Sequence, residues 1–158
     1  MRSKKVVIMG DPGVGKTTLA KRLSEKVFKE VKVTLGIDFH KVKEENLLLW
    51  DLAGQEKFVE VLKGLASDGA DLFLIVVDST RPTTFRSVLD RWIRIVDRSK
   101  VILVVNKVDL AEPDERDLDM LRKLSIPLVR CSSKTGEGLN DLLKMIRSHL
   151  FNQVRDTG

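Results

Sequence analysis

Residues 5–9, Lys-Val-Val-Ile-Met, form a short apolar, β-branched run that empties directly into Gly10-Asp11-Pro12-Gly13-Val14-Gly15-Lys16-Thr17. The next stretch, Thr17-Thr18-Leu19-Ala20-Lys21-Arg22-Leu23, carries apolar side chains at helical spacing. Strand, glycine-rich turn and helix in immediate succession commit this end of the chain to an α/β unit with the turn at the strand's C-terminal end, where open sheets place ligands. The turn matches G-x-x-x-x-G-K-[ST] in full. Its glycines let the backbone curl so that successive N–H groups point inward as an anion nest, and the helix N-terminus adds a positive dipole end. Lys16 can reach the β- and γ-phosphates of a nucleoside triphosphate, and the Thr17 hydroxyl can ligate Mg²⁺. Asp11, Gly13, Val14, Gly15, Lys16, Thr17 and Thr18 are the candidate phosphate contacts. A glycine turn that meets Lys and Thr by coincidence would not need the whole spacing.

Pro12 departs from a plain glycine loop because it has no N–H and a fixed φ. Either that missing donor points away from the phosphates and nothing is lost, or the ring crowds the third phosphate and restricts a side chain inserted by a partner. For nucleotide binding the first reading is adopted; for catalysis the second stays open.

Further along, the run Val101-Ile102-Leu103-Val104-Val105 ends in Asn106-Lys107-Val108-Asp109. A carboxylate on a rigid strand end can accept from two adjacent N–H groups, which guanine presents and adenine does not. Such a site rejects the analogue that would leave its carboxylate unpaired. Asp109 is the candidate base reader, Asn106 braces the loop, and the Lys107 stem can lie along the ring face. Alone the tetrad is also ordinary turn chemistry; with a phosphate loop upstream it becomes a base-reading corner. Leu47-Leu48-Leu49-Trp50 leads into Asp51-Leu52-Ala53-Gly54-Gln55-Glu56. Asp51 fits the Walker-B role on Mg²⁺, the Gly54 N–H can bond a γ-oxygen, and Gln55 can orient an attacking water. Thr34 could close over Mg²⁺ and the γ-phosphate, or be a plain strand-entry threonine.

In order and spacing these segments resemble a Ras-superfamily small GTPase, most like the Rab branch and compatible with a prokaryotic or archaeal member. The carriers are Gly10 to Thr18, Thr34-Leu35-Gly36-Ile37-Asp38-Phe39, Trp50 to Phe58, Asn106-Lys107-Val108-Asp109 and Ser132-Ser133-Lys134. The resemblance implies a Mg²⁺-dependent switch, ordered with GTP and loosened with GDP, with Thr34 in the first switch and Asp51 to Gln55 in the second. It implies that Ser133 supplies a backbone N–H to the guanine 6-oxo group, that Ser132 and Lys134 belong to the same loop, and that Phe28 packs on the guanine face, with Val27 as competitor. Metal ligands would be Thr17, Thr34 and Asp51, and the catalytic set Gln55, Lys16 and Thr34.

The 158 residues, 42% of them hydrophobic, suffice for one core, and no linker or repeat divides them. Residues 1–152 are expected to form the domain and 153–158 a short tail. The pattern predicts strands at 4–9, 37–43, 47–52, 71–78, 100–106 and 127–131, and helices at 16–27, 57–68, 83–97, 114–124 and 139–151. The alternation implies an α/β fold with a mostly parallel sheet and helices on both faces, and the resemblance implies the P-loop NTPase G domain, expected here as six strands with one antiparallel edge strand.

The net charge of +5 is spread over helices and interleaved with acids, as in Asp90-Arg91-Trp92-Ile93-Arg94, so nucleic-acid binding is not expected. Trp92 reads as core beside Ile95 and Val96. His40 and His149 lack metal-ligand neighbours, so no transition-metal site is proposed. One cysteine, Cys131, fits a reducing cytoplasm. No signal peptide, membrane-spanning run or prenylation box is recognised, so a cytoplasmic location is expected, with membrane contact only through partners. Lys29 to Thr34 holds no arginine. Slow intrinsic hydrolysis is therefore expected, with a GTPase-activating protein to accelerate it and an exchange factor to reset it. The resemblance places Ile37, Phe39, Trp50 and Phe58 on the effector face; prokaryotic relatives often partner roadblock or longin-type proteins.

Overall fold

The computed structural model describes residues 4–27, 32–35, 40–42, 47–49 and 69–151, with backbone alone at 25–27 and in the three short segments. The first strand, β1 (Lys5–Gly10), runs into α1 (Lys16–Val27), followed by β2 (Lys32–Leu35), β3 (His40–Val42) and β4 (Leu47–Leu49). Next come β5 (Leu72–Asp78), α2 (Pro82–Asp90), β6 (Val101–Asn106), α3 (Glu115–Arg122), β7 (Leu128–Arg130) and α4 (Leu139–Phe151). The main sheet has the order β2-β1-β5-β6-β7, with every pairing parallel.

Period-2 alternation sorts the strand side chains onto two covered faces. Val6, Ile8, Leu72, Leu74, Val76, Ile102 and Val104 pack on one side with Leu19, Ala20 and Leu23 of α1 and the α4 stripe Leu139, Leu142, Leu143, Ile146 and Leu150. Val7, Met9, Phe73, Ile75, Val77, Leu103 and Val105 pack on the other with Phe85 and Val88 of α2, Trp92, Ile93, and Leu118 and Leu121 of α3. All seven residues of β5 are buried, which accounts for its unbroken apolar run up to the one carboxylate at its end.

Three expectations change. The sheet of six strands with an antiparallel edge is replaced, among the described residues, by five parallel strands and a separate two-stranded sheet, β3 against β4. Of the hairpin expected from 37–43 and 47–52, the described residues pair antiparallel, His40 opposite Leu49 and Val42 opposite Leu47. It does not flank β1 because Lys32-Val33-Thr34-Leu35, which lay outside the predicted strands, occupies that edge in register with Lys5 to Ile8. The predicted helix over 83–97 is also divided. It stops at Asp90, Arg91 leaves helical geometry (φ −133°, ψ −65°), and Trp92–Ile95 forms a 3₁₀ turn. No glycine or proline marks this break; burial of both Trp92 and Ile93 accompanies it. The helix expected at 57–68 and the tail at 153–158 lie outside the described residues.

Phe85 is 1% exposed at the heart of the α2 face. Phe85→Ala should cost about 3–5 kcal/mol through transfer and cavity terms. The expected readout is a lower urea midpoint at unchanged slope.

Candidate nucleotide-binding site

The connections after β1, β5, β6 and β7 converge at the C-terminal edge of the sheet. The loop after β1 is held by side chains that take up its carbonyls one after another. Lys16 Nζ, on a side chain 3% exposed, donates to Gly10 O at 3.0 Å and Asp11 O at 2.7 Å. Arg81 Nη1 donates to Pro12 O at 2.8 Å, Lys107 Nζ to Gly13 O at 2.6 Å, and Asn106 Nδ2 to Val14 O at 3.0 Å. Gly15 O accepts from Leu19 N at 2.9 Å as α1 begins. Carbonyl and N–H of a planar trans peptide point to opposite sides, so each bonded carbonyl also fixes the direction of the N–H that follows it. Glycine is required at two points. A Cβ on Gly10 (φ +147°) would collide with the Val76 carbonyl, and one on Gly15 (φ +97°) with the Asn106 amide.

Asn106, fully buried, ties this loop to the one after β7. Besides the bond to Val14 its Nδ2 donates to Ser133 Oγ at 3.1 Å, and its Oδ1 accepts from Ser133 N at 2.9 Å. The buried Cys131 Sγ lies 3.7 Å from the same oxygen, and burial first, then the charge of Glu137, pushes that thiol up to about 12. Asp109 Oδ1 accepts from Ser132 Oγ at 2.8 Å, which in turn accepts from Thr135 N at 3.0 Å. The Lys134 carbonyl accepts from Arg22 of α1. Gly15, Thr18, Asn106, Lys107, Asp109, Leu110, Ser133 and Lys134 line a cavity of about 200 Å³. Cavities for whole ligands run to roughly 300–1,000 Å³, so this one suits a single flat ring whose remaining groups lie over the loop.

The predicted residues from both motifs are thus brought together. Thr17 and Thr18 stand exposed at the start of α1, and Pro12 and Gly13 are exposed in the loop. The Ser133 N–H assigned to a guanine oxygen is engaged here by Asn106. Thr34 lies in β2 opposite Val7, its side chain outside the described residues. Phe28, Asp51, Gly54 and Gln55 are outside them altogether.

Sequence reasoning missed Asp78, Arg81 and one role of Trp92. The Trp92 indole N–H donates to Asp11 Oδ1 at 2.8 Å, so this core residue also fixes a loop side chain. Asp78, 1% exposed, accepts from Thr80 N at 2.8 Å and Thr80 Oγ1 at 2.6 Å, and faces Lys107 Nζ at 3.1 Å. Burial pushes its carboxyl up, but the two Thr80 bonds and the Lys107 ammonium outweigh it and hold the group below its ordinary value of 3.8. A carboxylate closing the otherwise apolar β5 was the available signal. Lys107 itself sits at φ +67°, with its carbonyl taken by Ser79 Oγ at 2.8 Å.

A carboxyl with a depressed folded value stabilises the protein fully above its unfolded pKa and loses that contribution as pH falls through the folded one. The stability gap between wild type and Asp78→Asn should therefore be constant at neutral pH and close only below the ordinary value of 3.8. Urea titrations of the two proteins across the acid range measure it.

The Ras family model matches residues 5–152. Similar curated proteins include the Ras-related protein RABC1 of Arabidopsis thaliana, 34% identical over 148 residues covering 83% of this chain and 69% of that protein. The Ras-related protein Rab-5B of Plasmodium falciparum is 30% identical over 169 residues, covering 96% and 80%. Rab-1 of Theileria parva is 29% identical over 166 residues, covering 95% and 75%. A phosphate loop and a base corner locked together by Asn106, in a chain matched almost end to end, identify this protein as a Rab-like member of the Ras family of GTP-binding small GTPases.

Proposed function

We propose that the protein is a GTP-operated switch that binds effectors in its GTP state and resets by slow, Mg²⁺-dependent hydrolysis. The observation that supports this best is the Asn106 amide, which ties the glycine-rich loop to the loop after β7 beside the cavity lined by Asp109 and Ser133. Asp109, which accepts from Ser132 Oγ, would accept from the N1–H and 2-amino groups of guanine. The Ser133 N–H would pass from Asn106 Oδ1 to the 6-oxo group, and Phe28 would cover a ring face. Lys16 would exchange loop carbonyls for phosphate oxygens and offset the charge that grows on them during in-line attack. Gln55 would orient the attacking water, with the Gly54 N–H and Thr34 on the third phosphate.

Among the described residues no three His, Cys, Asp or Glu side chains gather as a metal site. The proposed Mg²⁺ would be held by the Thr17 hydroxyl, Thr34, Asp51 and the phosphates themselves. Bound Mg²⁺ would supply charge neutralisation on the phosphate oxygens. Ile37, Phe39, Trp50 and Phe58 are assigned to the effector face, with an activating protein, an exchange factor and roadblock or longin-type effectors as the partner classes. No helix among the described residues is long and apolar enough to cross a membrane. The proposed setting is cytoplasmic, with membrane contact through partners.

Unaided turnover should be on the order of 10⁻⁴ to 10⁻² s⁻¹, the span of intrinsic rates in G proteins. Gln55→Leu should lower phosphate release while leaving GTP binding intact. Unchanged release would instead favour a module that keeps its nucleotide as a fixed ligand. Competition titration should show GTP and GDP bound far more tightly than ATP, and Asp109→Ala should erase most of that preference, on the order of 100-fold or more. Tight ATP binding by the wild type would sink the guanine assignment.

A further inference from the structure

We propose that Arg81 is a positioning residue for the phosphate loop, holding the Pro12–Gly13 peptide in the orientation that aims the Gly13 N–H at a bound phosphate. The inference rests on reading that loop as the nucleotide-phosphate site, and it assigns a device that neither motif contains. Pro12 has no N–H, so the loop carries one donor fewer and the next one, on Gly13, counts for more. The Pro12–Gly13 peptide can rotate as a rigid plane about the bonds at either end, and such a rotation exchanges the directions of its C=O and N–H. Gly13, at φ +77°, lacks the Cβ that would resist it. What opposes the rotation is the Pro12 carbonyl's bond to Arg81 Nη1 at 2.8 Å.

Arg81 is built to stay there. Its own N–H donates to Asp78 O at 2.9 Å, and its carbonyl accepts from Thr84 N at 3.0 Å and Thr84 Oγ1 at 2.7 Å. Pro82 at the first position of α2 keeps the preceding residue extended, and Arg81 has φ −130° and ψ 93°. The buried Asp78 carboxylate lies 4.0 Å from the guanidinium and draws it toward the loop. Nη1 also stands 3.1 Å from where a Gly13 Cβ would be, so the guanidinium lies against the very peptide it controls. The Arg81 side chain is 44% exposed, which separates its role from that of a buried packing residue.

The test uses the full chain, with fluorescently labelled GDP and a labelled non-hydrolysable GTP analogue as probes. Arg81→Ala should release both about 10-fold faster, as expected for losing one charge-assisted bond that water partly replaces. Arg81→Lys, which still offers one donor to the carbonyl, should restore most of the difference. The Gly13 amide resonance of the nucleotide-free protein should shift in the alanine variant and return in the lysine variant, with urea midpoints alike in all three. Unchanged release in Arg81→Ala overturns the proposal, as does a fall in urea midpoint that accounts for the loss. An effect confined to the GTP analogue also overturns it, because that result would place the guanidinium on the third phosphate itself. Failure of the wild type to bind either probe would sink the functional reading first, and this proposal with it.

Discussion

The buried amide of Asn106 is the joint on which the rest of the site depends. A carboxamide is the neutral side chain that both donates and accepts through one rigid plane, and here both ends are used. Nδ2 holds Val14 O and Ser133 Oγ while Oδ1 holds Ser133 N. Loss of that plane would leave buried backbone groups on two loops unpaired, at about 1–3 kcal/mol each. Gly15 and Asn106 are mutually required, since the amide nitrogen occupies the space a Cβ on residue 15 would need. The geometry that joins the β1 and β7 loops therefore comes from sheet order, which places β6 between β5 and β7 and ends it at this residue.

Three cations converge on the carbonyls of the loop. Lys16, Arg81 and Lys107 all bond to its carbonyls, and Asp78 lies behind two of them. Of the three only Lys16 is buried, so under the proposed function its transfer from peptide to phosphate oxygens would call for little reorganisation. Asp78, at the end of β5, offsets the charge of Lys107 at 3.1 Å and of Arg81 at 4.0 Å.

How much of this could be read in advance follows from how local each signal is. β1, α1 and α4 were legible because apolar periodicity and glycine spacing lie within one stretch of chain; α4 carries its buried residues at 139, 142, 143, 146 and 150 as the period demands. The phosphate loop and the Asn-Lys-Val-Asp corner were legible for the same reason. The edge position of β2 was not, because Lys32-Val33-Thr34-Leu35 has the same β-branched character as a strand or a strand entry, and only competition for β1 decides between them. The break after Asp90 was equally hidden, having no glycine or proline to announce it. Arg81 and the Trp92 bond to Asp11 span 69 and 81 residues of chain, and no window along the sequence brings their ends together. The Thr34, Asp51 and Gln55 roles remain on sequence and family grounds.

The lone thiol gives the corner an internal gauge. Cys131 is fully buried against Asn106, and burial raises its pKa to about 12. At neutral pH it is almost wholly protonated, and reagents that attack thiolates have neither the nucleophile nor the access they need. Labelling at Cys131 must wait for a local opening of the β6–β7 loop pair, so its rate measures the free energy of that opening. A cysteine introduced elsewhere on the surface could be modified selectively without replacing the native one, leaving the base corner intact while the rest of the molecule is probed.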